Sequence, residues 1–158
     1  IRTYQADDQV DVVNLWQNCG LVVPWNDPAA DITRKQSDSP ELFFVGELGG
    51  DIIASCMAGY DGHRGWIYYL AVKRSQQRKG YAAKLVRKAE SELMKRGCPK
   101  IDLMVRKTNG GVISFYESIG YSADPVIVLS KRLIEDNEQD QGGSIYENQQ
   151  QQVKNDIG

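Results

Sequence analysis

The apolar positions of this chain alternate between helical and strand-like spacing, which divides it into predicted elements. Residues 1–4 predict a short strand, and Asp7 or Asp8 is placed to cap a helix that Gly20 ends. The apolar face of this helix has i, i+3, i+4 spacing and consists of Val12, Leu15, Trp16 and Cys19. A second short helix is predicted at about residues 28–37.

The middle of the chain predicts a β-meander. Residues 41–60 contain two β-rich runs on either side of Gly49 and Gly50, a pair suited to the positive φ of a hairpin turn. Residues 61–65 predict the next turn, and residues 66–72 predict the third strand. The nearly continuous apolar character of this third strand predicts burial on both faces.

The second half of the chain predicts alternating helices and strands. Residues 79–95 predict a helix whose apolar stripe consists of Tyr81, Ala82, Leu85, Val86, Ala89 and Leu93. Residues 100–106 predict a strand, residues 108–121 a helix capped by Asn109, and residues 125–133 a final strand. The predicted order is therefore β-α-α-β-β-β-α-β-α-β.

Composition and charge limit the classes of protein that fit this pattern. With 158 residues, 41% of them hydrophobic and 25% charged, the chain suits one globular domain at 1–134 and a polar tail at 135–158. The tail is too polar to offset the entropy lost on ordering. A formal net charge of −2 gives no electrostatic case for a nucleic acid or membrane partner, and a homodimer is left open.

Cysteine usage and the length of the apolar runs predict a cytoplasmic protein. Cys19, Cys56 and Cys98 are odd in number, widely spaced and without a CxxC pair, which suits a reducing compartment better than a disulfide framework. No apolar run approaches the roughly 18 residues that span a bilayer.

Residues 76–85, QQRKGYAAKL, contain the most specific chemical signal in the chain. A strand leads into a basic, glycine-containing turn and then a helix N-terminus, whose first N–H groups lack internal partners and favour an anion. Gly80 lets a phosphate approach the backbone, and Ala82 and Ala83 keep the first helical turn slim. A Walker-type ATP loop and a Rossmann fingerprint are excluded, because neither Gly-Lys-Ser/Thr nor G-x-G-x-x-G occurs.

Two motifs, each following a predicted strand, together indicate a family. The loop matches Q-x-x-G-x-A at Gln77, Gly80 and Ala82. The later helix matches N-x-x-x-x-x-x-Y-x-x-x-G-Y at Asn109, Tyr116, Gly120 and Tyr121. Over residues 1–133 the chain resembles the GNAT N-acetyltransferases, particularly small bacterial members of the ribosomal-protein-alanine acetyltransferase type. The resemblance implies an α+β fold of three α/β/α layers, with a mixed, mostly antiparallel sheet whose central strands splay apart.

The resemblance also implies acetyl-CoA as cosubstrate and an amine as acceptor. The implied cofactor-binding residues are Leu70, Ala71, Val72, Gln77, Arg78, Lys79, Gly80, Tyr81, Ala82, Asn109 and Tyr116. Backbone groups of residues 70–72 would line the pantetheine arm, and N–H groups of residues 77–82 would hold the pyrophosphate. Arg78 and Lys79 either add charge-assisted contacts or face solvent. Asn109 contacts the arm, caps its helix, or does both.

Tyr116 is the catalytic residue that the resemblance implies, as the general acid toward the departing CoA thiolate. Thiol and phenol pKa values near 8.5 and 10 make full proton transfer uphill by about 2 kcal/mol in water, so hydrogen-bond donation as the S–C bond breaks is favoured. Tyr116 also shares a helical face with Val112 and Ile119. A buried ring with its hydroxyl at the cofactor satisfies both roles.

The general base is where the chain departs from many relatives. Trp66 and Met104 occupy the positions where an acidic residue is common in the family. The remaining candidates are Asp102 as a weak base, Tyr68 or Tyr69, His63 and Glu47. A lone histidine in a turn is more often solvated than catalytic, and without a second histidine or paired cysteines no metal is predicted.

A missing strong base affects the expected acceptor. At pH 7 a lysine amine is neutral in about one part in 2,500, whereas an α-amine of pKa ~7.7 is neutral in about one part in six. Protein N-termini or activated small amines are therefore favoured over lysine. Trp25, between two prolines, either walls the acceptor pocket or covers the sheet edge.

Two other classes of function stay open from the sequence. A regulatory module that binds acyl-CoA without turnover would also keep the loop at residues 76–85, and the missing acidic base favours it. The presence of Tyr116 favours the enzyme, because a binder needs no general acid. An interaction protein whose tail recruits a partner is the third alternative.

Overall fold

A computed structural model describes residues 1–134, so the predicted polar tail at 135–158 lies outside the described residues. The strands are β1 (Arg2–Thr3), β2 (Phe43–Leu48), β3 (Asp51–Tyr60), β4 (Gly65–Val72) and β5 (Ile101–Asp102). The α-helices are α1 (Gln9–Asn18), α2 (Pro28–Ser37), α3 (Tyr81–Lys95) and α4 (Gly110–Ser118). Single 3₁₀ turns lie at Ala6–Asp8, Pro40–Leu42 and Arg74–Gln76.

Within the described residues the strands form one mixed sheet in the order β1-β2-β3-β4-β5. Every pairing is antiparallel except the parallel pairing of β4 with β5. The β2–β3 hairpin turns at Gly49 and Gly50, whose φ values of 62° and 88° need glycine, as the sequence predicts. The sheet, its topology and the helices confirm the predicted α+β class.

Helices cover both faces of the sheet and give it two separate cores. One core contains α1, α2 and one sheet face, with Tyr4, Val12, Trp16, Ile32, Phe43 and Met57 among its members. The other contains α3, α4 and the opposite face, with Phe44, Cys56, Leu85, Val86, Leu93 and Tyr116 among its members. The predicted stripe of α3 is confirmed, since its last four members, Leu85, Val86, Ala89 and Leu93, are at most 1% exposed and the first two are partly buried.

Two strand predictions are wrong in whole or in part. Residues 125–133 form no strand, and Val126, Ile127 and Leu129 are 71%, 85% and 88% exposed. The strand predicted at 100–106 contains only Ile101 and Asp102. A strand is stable only when a neighbour offers a paired edge, and a two-residue β5 offers little edge to a following strand.

The prediction that β4 is buried on both faces is also only partly right. Ile67, Ala71 and Val72 are buried, but Tyr68 is 42% exposed. The reason is that the α2 side of β4 forms one wall of an open groove rather than part of a core.

Candidate functional site

The central structural feature of the candidate site is an unpaired edge of β4. On the β5 side, β4 pairs only through Gly65 with Ile101 and Trp66 with Asp102. From residue 67 to residue 72 this edge has no strand partner among residues 1–134, because the chain after Asp102 leaves the sheet. Backbone N–H and C=O groups along such an edge are available to hydrogen-bond an extended ligand.

A β-bulge changes the direction of the backbone in the middle of this edge. Tyr68 pairs with Met57 and Ala71 pairs with Ser55, so Tyr69 and Leu70 together face one residue of β3. Tyr69 has a φ of 47°, in the left-handed region that non-glycine residues rarely adopt. Such strain persists at a position only when the surrounding contacts enforce it.

Contacts from the α1 side hold the bulge in place. The Ser55 hydroxyl donates to the carbonyl oxygen of Tyr69 at 3.1 Å and accepts from Trp16 Nε1 at 2.8 Å. The Trp16 and Tyr69 rings stack with centroids 4.0 Å apart. Ser55 is fully buried, so its hydroxyl is committed to fixing the backbone of β4.

The predicted anion loop joins the end of this edge to α3. Gly80 is the N-cap residue of α3 with φ 82°, and Lys84 N–H is the first to close the helix, donating to Gly80 O at 3.1 Å. The four N–H groups of residues 80–83 therefore lack helical partners. Gln77 Nε2 donates to Val72 O at 3.0 Å and ties the loop to β4.

The basic side chains of this loop differ in their surroundings. Lys79 Nζ donates to Gln76 Oε1 at 2.9 Å, so this ammonium lies along the loop. Arg78 is exposed and has a φ of 63°. Both basic side chains lie within two residues of Gly80, so they place positive charge beside the N-terminus of α3.

Tyr116 lies on α4 and packs in the α3–α4 core, which confirms its core role, whereas its catalytic role stays a prediction. Its ring is 7% exposed and makes edge contacts with Phe115 and Tyr121, at centroid distances of 5.0 and 5.3 Å. Its hydroxyl has no hydrogen-bond partner among the described residues. Burial, with a smaller contribution from Cys56, raises the pKa of Tyr116 above its ordinary value, so the phenol is protonated at neutral pH.

Asn109 and Tyr121, the other residues of the second motif, have structural partners. Asn109 Oδ1 accepts from Val112 N at 3.3 Å and caps α4, as the sequence predicts. The Tyr121 hydroxyl donates to Glu90 Oε1 at 3.0 Å and links the end of α4 to α3. Among the three motif tyrosine and asparagine side chains, Tyr116 alone keeps its polar group free within residues 1–134.

The sequence-predicted base candidates do not converge on one place. Asp102 lies on β5, where β5 still pairs with β4. Its carboxylate is 3.2 Å from Lys100 Nζ and 3.6 Å from Arg64 Nε. Glu47 lies on β2 and pairs with Arg2 Nε at 2.9 Å, two strands away from the β4 edge. His63 lies in an exposed turn, where its N–H donates to Asp61 Oδ1.

An open groove of about 600 Å³ lies on the α2 side of β3 and β4, opposite α3 and α4. It is lined by Asp31, Arg34, Lys35, Asp38, Met57, Gly59, Tyr60, Asp61, Trp66, Tyr68 and Tyr69. The groove brings Tyr68 and Tyr69 of the unpaired edge together with the charged face of α2. Trp25 is 45% exposed and is not part of this lining, so its predicted role at the acceptor stays a prediction.

Sequence reasoning missed Asp31, the closest polar partner of Tyr69. The Tyr69 hydroxyl donates to Asp31 Oδ2 at 2.5 Å, and Asn26 Nδ2 lies 3.4 Å from the same hydroxyl. Burial and the Asp31 carboxylate raise the pKa of Tyr69 above its ordinary value. No local pattern could have identified this pair, because it joins residues 38 apart in the chain.

The groove also contains a carboxylate that stays ionised. Asp61 accepts from the N–H groups of Arg64 and His63 and from Trp66 Nε1, and these hydrogen bonds lower the pKa of Asp61 to about 2. Lys35 Nζ donates to the carbonyl of Ala58 at 2.6 Å, and burial lowers the pKa of Lys35.

Two further features of the described residues bear on the class of protein. Within residues 1–134 no group of three or more His, Cys, Asp or Glu side chains is arranged to hold a metal ion. Over the same residues, no helix is both long enough and apolar enough to cross a membrane.

Comparisons with known proteins agree with this geometry. The model of the acetyltransferase (GNAT) family matches residues 10–121. An acetyltransferase of Sodalis glossinidius is 50% identical over 139 residues, covering 87% of this chain and 98% of that protein. An acetyltransferase of Yersinia pseudotuberculosis is 49% identical over 138 residues, with the same coverage.

Solved structures share the fold at lower sequence identity. An aminoglycoside acetyltransferase from an uncultured soil metagenomic sample superimposes with a TM-score of 0.65 at 18% identity, covering 85% of this chain and 93% of that one. A ribosomal-protein alanine N-acetyltransferase from Escherichia coli gives a TM-score of 0.61 at 23% identity, covering 75% of this chain and 74% of that one.

Proposed function

This chain belongs to the acetyltransferase (GNAT) family, and from that premise we propose that it transfers the acetyl group of acetyl-CoA to an amine. The amine attacks the thioester directly, without a covalent acetyl-enzyme. The observation that supports this most strongly is the unpaired edge of β4 between residues 67 and 72, because it leads into the anion loop and shares a core with Tyr116.

Acetyl-CoA is proposed to bind along this edge. The pyrophosphate would accept from the orphan N–H groups at the start of α3, where the helix dipole adds partial positive charge. The pantetheine amides would pair with backbone groups of Leu70, Ala71 and Val72, replacing the strand that β4 lacks. Arg78 would supply charge near the phosphates from an exposed side chain.

Tyr116 is proposed to donate a hydrogen bond to the sulfur as the C–S bond breaks. Its raised pKa makes complete proton transfer to the thiolate more uphill than it is in water. Stabilisation of the developing charge by a donor that needs no reorganisation is therefore the main contribution expected of it. Because the hydroxyl has no partner within residues 1–134, it is available for this role.

The acceptor is proposed to be a low-pKa amine, either a protein N-terminal α-amine or a small-molecule amine, bound in the groove between α2 and β4. The fold neighbours named as aminoglycoside and ribosomal-protein alanine acetyltransferases differ in acceptor, so the fold alone does not select one. The groove contains aromatic rings of Trp66 and Tyr68 and the ionised Asp61, which suit a substrate with a cationic group beside the reacting amine.

Thiol release from acetyl-CoA, measured with a panel of N-terminal peptides and small amines, tests the proposal. We expect release that depends on the amine, together with an N-acetylated product of equal amount. Tight acetyl-CoA binding with no release across the panel would instead support the regulatory module. Absence of both binding and release would contradict the enzyme and the module alike.

A further inference from the structure

The hydrogen bond between Tyr69 and Asp31 has the geometry of a proton relay. The phenol donates to Asp31 Oδ2 at 2.5 Å, shorter than the usual O–H···O distance in proteins. Both side chains line the groove, and Tyr69 belongs to the strand whose free edge we assign to the thioester. Asn26 Nδ2, at 3.4 Å, makes only a long contact with the phenol oxygen, which keeps acceptor capacity for another donor.

The pair is held rigidly on both sides. Stacking on Trp16 and the strained φ of Tyr69 fix the ring, and the Ser55 hydroxyl fixes its carbonyl. On the α2 side, Arg34 NH2 lies 2.6 Å from Asp31 Oδ1. The second oxygen of Asp31 is thereby left for the phenol.

We propose that Tyr69 and Asp31 act together as the general base that the sequence lacks at Trp66 and Met104, with Tyr69 contacting the acceptor amine and Asp31 receiving the proton. This inference depends on the proposed acetyl transfer and identifies a further catalytic residue for it. Tyr69 alone is a poor base because its phenol is protonated at neutral pH, so the neighbouring carboxylate is essential.

The proton balance of the step is complete. A neutral amine attacks the carbonyl carbon, and the C–N bond forms as the C–S bond breaks. The nitrogen, now positively charged, gives one proton to Tyr69 Oη while the phenol proton passes to Asp31 Oδ2. The thiolate leaves with a hydrogen bond from Tyr116 and takes its proton from solvent, and Asp31 returns its proton to solvent before the next cycle.

An aspartate is a strong enough base for this step because the proton leaves the nitrogen only after the C–N bond has formed. An acylated nitrogen is a far stronger acid than a free ammonium ion, so a weak base accepts its proton readily once the C–N bond forms. The relay therefore does not deprotonate a free lysine ammonium, and the preference for low-pKa amines is retained. The charged groups that line the groove with the pair are Arg34 and Lys35 from α2, Asp38 at the C-cap of α2 and Asp61 from the β3–β4 turn.

Tyr69→Phe and Asp31→Asn are the direct tests, because each removes the relay and keeps the shape of the side chain. We expect kcat to fall by about 100-fold or more in each, with the acetyl-CoA KM changed by less than about threefold. The double variant should lose about as much as either single one, because the two residues act as a unit. Matched controls are Tyr4→Phe, a buried tyrosine stacked on Phe43, and Asp11→Asn on α1.

Two further measurements separate proton transfer from a structural role. Formate should restore part of kcat to Asp31→Ala and none to Asp31→Asn, since only the smaller side chain leaves room for an added carboxylate. A solvent deuterium isotope effect on kcat should be present in the wild type and reduced in Asp31→Asn, because only the wild type moves the phenol proton in the step.

Activity of the wild type separates failure of the relay from failure of acetyl transfer itself. If the wild type makes no acetylated amine, acetyl transfer itself is wrong. If the wild type is active and both variants keep more than about a third of kcat, the relay is overturned while acetyl transfer stands. Loss of kcat without formate rescue and with a lowered unfolding midpoint also overturns the relay in favour of packing.

Discussion

Tyr116 shows how one side chain serves both the core and the proposed chemistry. Its ring packs in the α3–α4 core, whereas its hydroxyl is left without a partner within residues 1–134. Tyr121, its neighbour in the same core, has its hydroxyl bound to Glu90. The two tyrosines pack against each other, but Tyr116 is the more buried of the two and only the Tyr121 hydroxyl has a partner within residues 1–134.

Replacing Tyr116 by Phe should lower kcat by about 100-fold or more, because the departing thiolate loses its hydrogen-bond donor. Acetyl-CoA affinity should stay within a few-fold of the wild-type value, because the ring is kept. Steady-state thiol release and calorimetric titration with acetyl-CoA measure the two effects. Tyr121→Phe is the control, with kcat near wild type and a small loss of stability. Wild-type kcat in Tyr116→Phe would remove Tyr116 from the mechanism.

The residues that local sequence could predict are those whose role depends on their immediate neighbours. Gly80 and Asn109 were predicted because a turn and a cap are local devices, and both hold those positions in the structure. Asp31 was missed because its role depends on the bulge in β4, which brings Tyr69 over α2. No spacing rule within one sequence predicts the contact between Asp31 and Tyr69.

Among the elements, the start of α3 is the one on which the CoA assignment depends. Gly80 and Gly97 both have strongly positive φ values, 82° and 77°, at opposite ends of this helix, and an added Cβ would meet no atom within 4 Å at either. Only Gly80 lies beside the proposed pyrophosphate site. A difference in acetyl-CoA affinity between substitutions at the two positions therefore reflects contact with the ligand rather than backbone strain.

Gly80→Ala and Gly97→Ala should each destabilise the fold by about 1–2 kcal/mol, the cost of a left-handed conformation for an L-residue. Only Gly80→Ala should also weaken acetyl-CoA binding, because its Cβ and the relaxed loop displace N–H groups from the phosphates. Urea unfolding and calorimetric titration check the two results. Equal acetyl-CoA affinity in both variants would contradict the assigned anion loop.

An ion pair between Arg2 and Asp8 links β1 to the start of α1. The Arg2 guanidinium donates to both oxygens of Asp8 at 2.8 Å, and Gln5 N–H donates to the same carboxylate. The Asp8 side chain is 9% exposed. The hydrogen bonds from Arg2, followed by that from Gln5, lower the pKa of Asp8 and outweigh the effect of burial.

Asp8→Asn should lower the free energy of unfolding by about 1–2 kcal/mol at pH 7, because it removes charged hydrogen bonds from Arg2. A carboxylate whose pKa is lowered by folding stabilises above its unfolded pKa of about 3.9, and this contribution is lost as the pH falls further. The gap between wild type and variant should therefore close as urea unfolding is repeated below about pH 4. A gap that is constant with pH, or equal to that of the control Asp7→Asn, would contradict the ion pair.

Strand formation shows the limit of prediction at this scale. The run at 125–129 has the composition of a strand, yet its side chains are exposed because β5 contributes a pairing of only two residues. Composition gives this run a high β propensity, but a strand forms only where a neighbouring strand is available for pairing. The same short β5 pairing leaves the edge of β4 free from residue 67 onward, so the wrong strand prediction and the candidate site have one physical origin.

Across the fold as a whole, the two faces of the sheet carry the two proposed binding regions. The anion loop and Tyr116 lie with α3 and α4, and the groove lies with α2. The free edge of β4 adjoins both sides of the sheet. Two substrates bound on opposite sides could meet there, as the proposed transfer requires. The fold class is predictable from sequence and is confirmed, and the CoA-binding role of the two motifs stays a prediction. The groove is not predictable locally, because it depends on contacts between α2 and β4 that are distant in the chain.

Acetyl transfer is tested most directly by following both products in one reaction, with a peptide whose α-amine is free and whose side chains carry no amine. We expect thiol and N-acetyl peptide to appear in equal amounts, and the same peptide with a blocked N-terminus and one lysine to react far more slowly at pH 7. Thiol release without acetylated peptide, or acetyl-CoA binding with neither product across the amines tried, would contradict acetyl transfer.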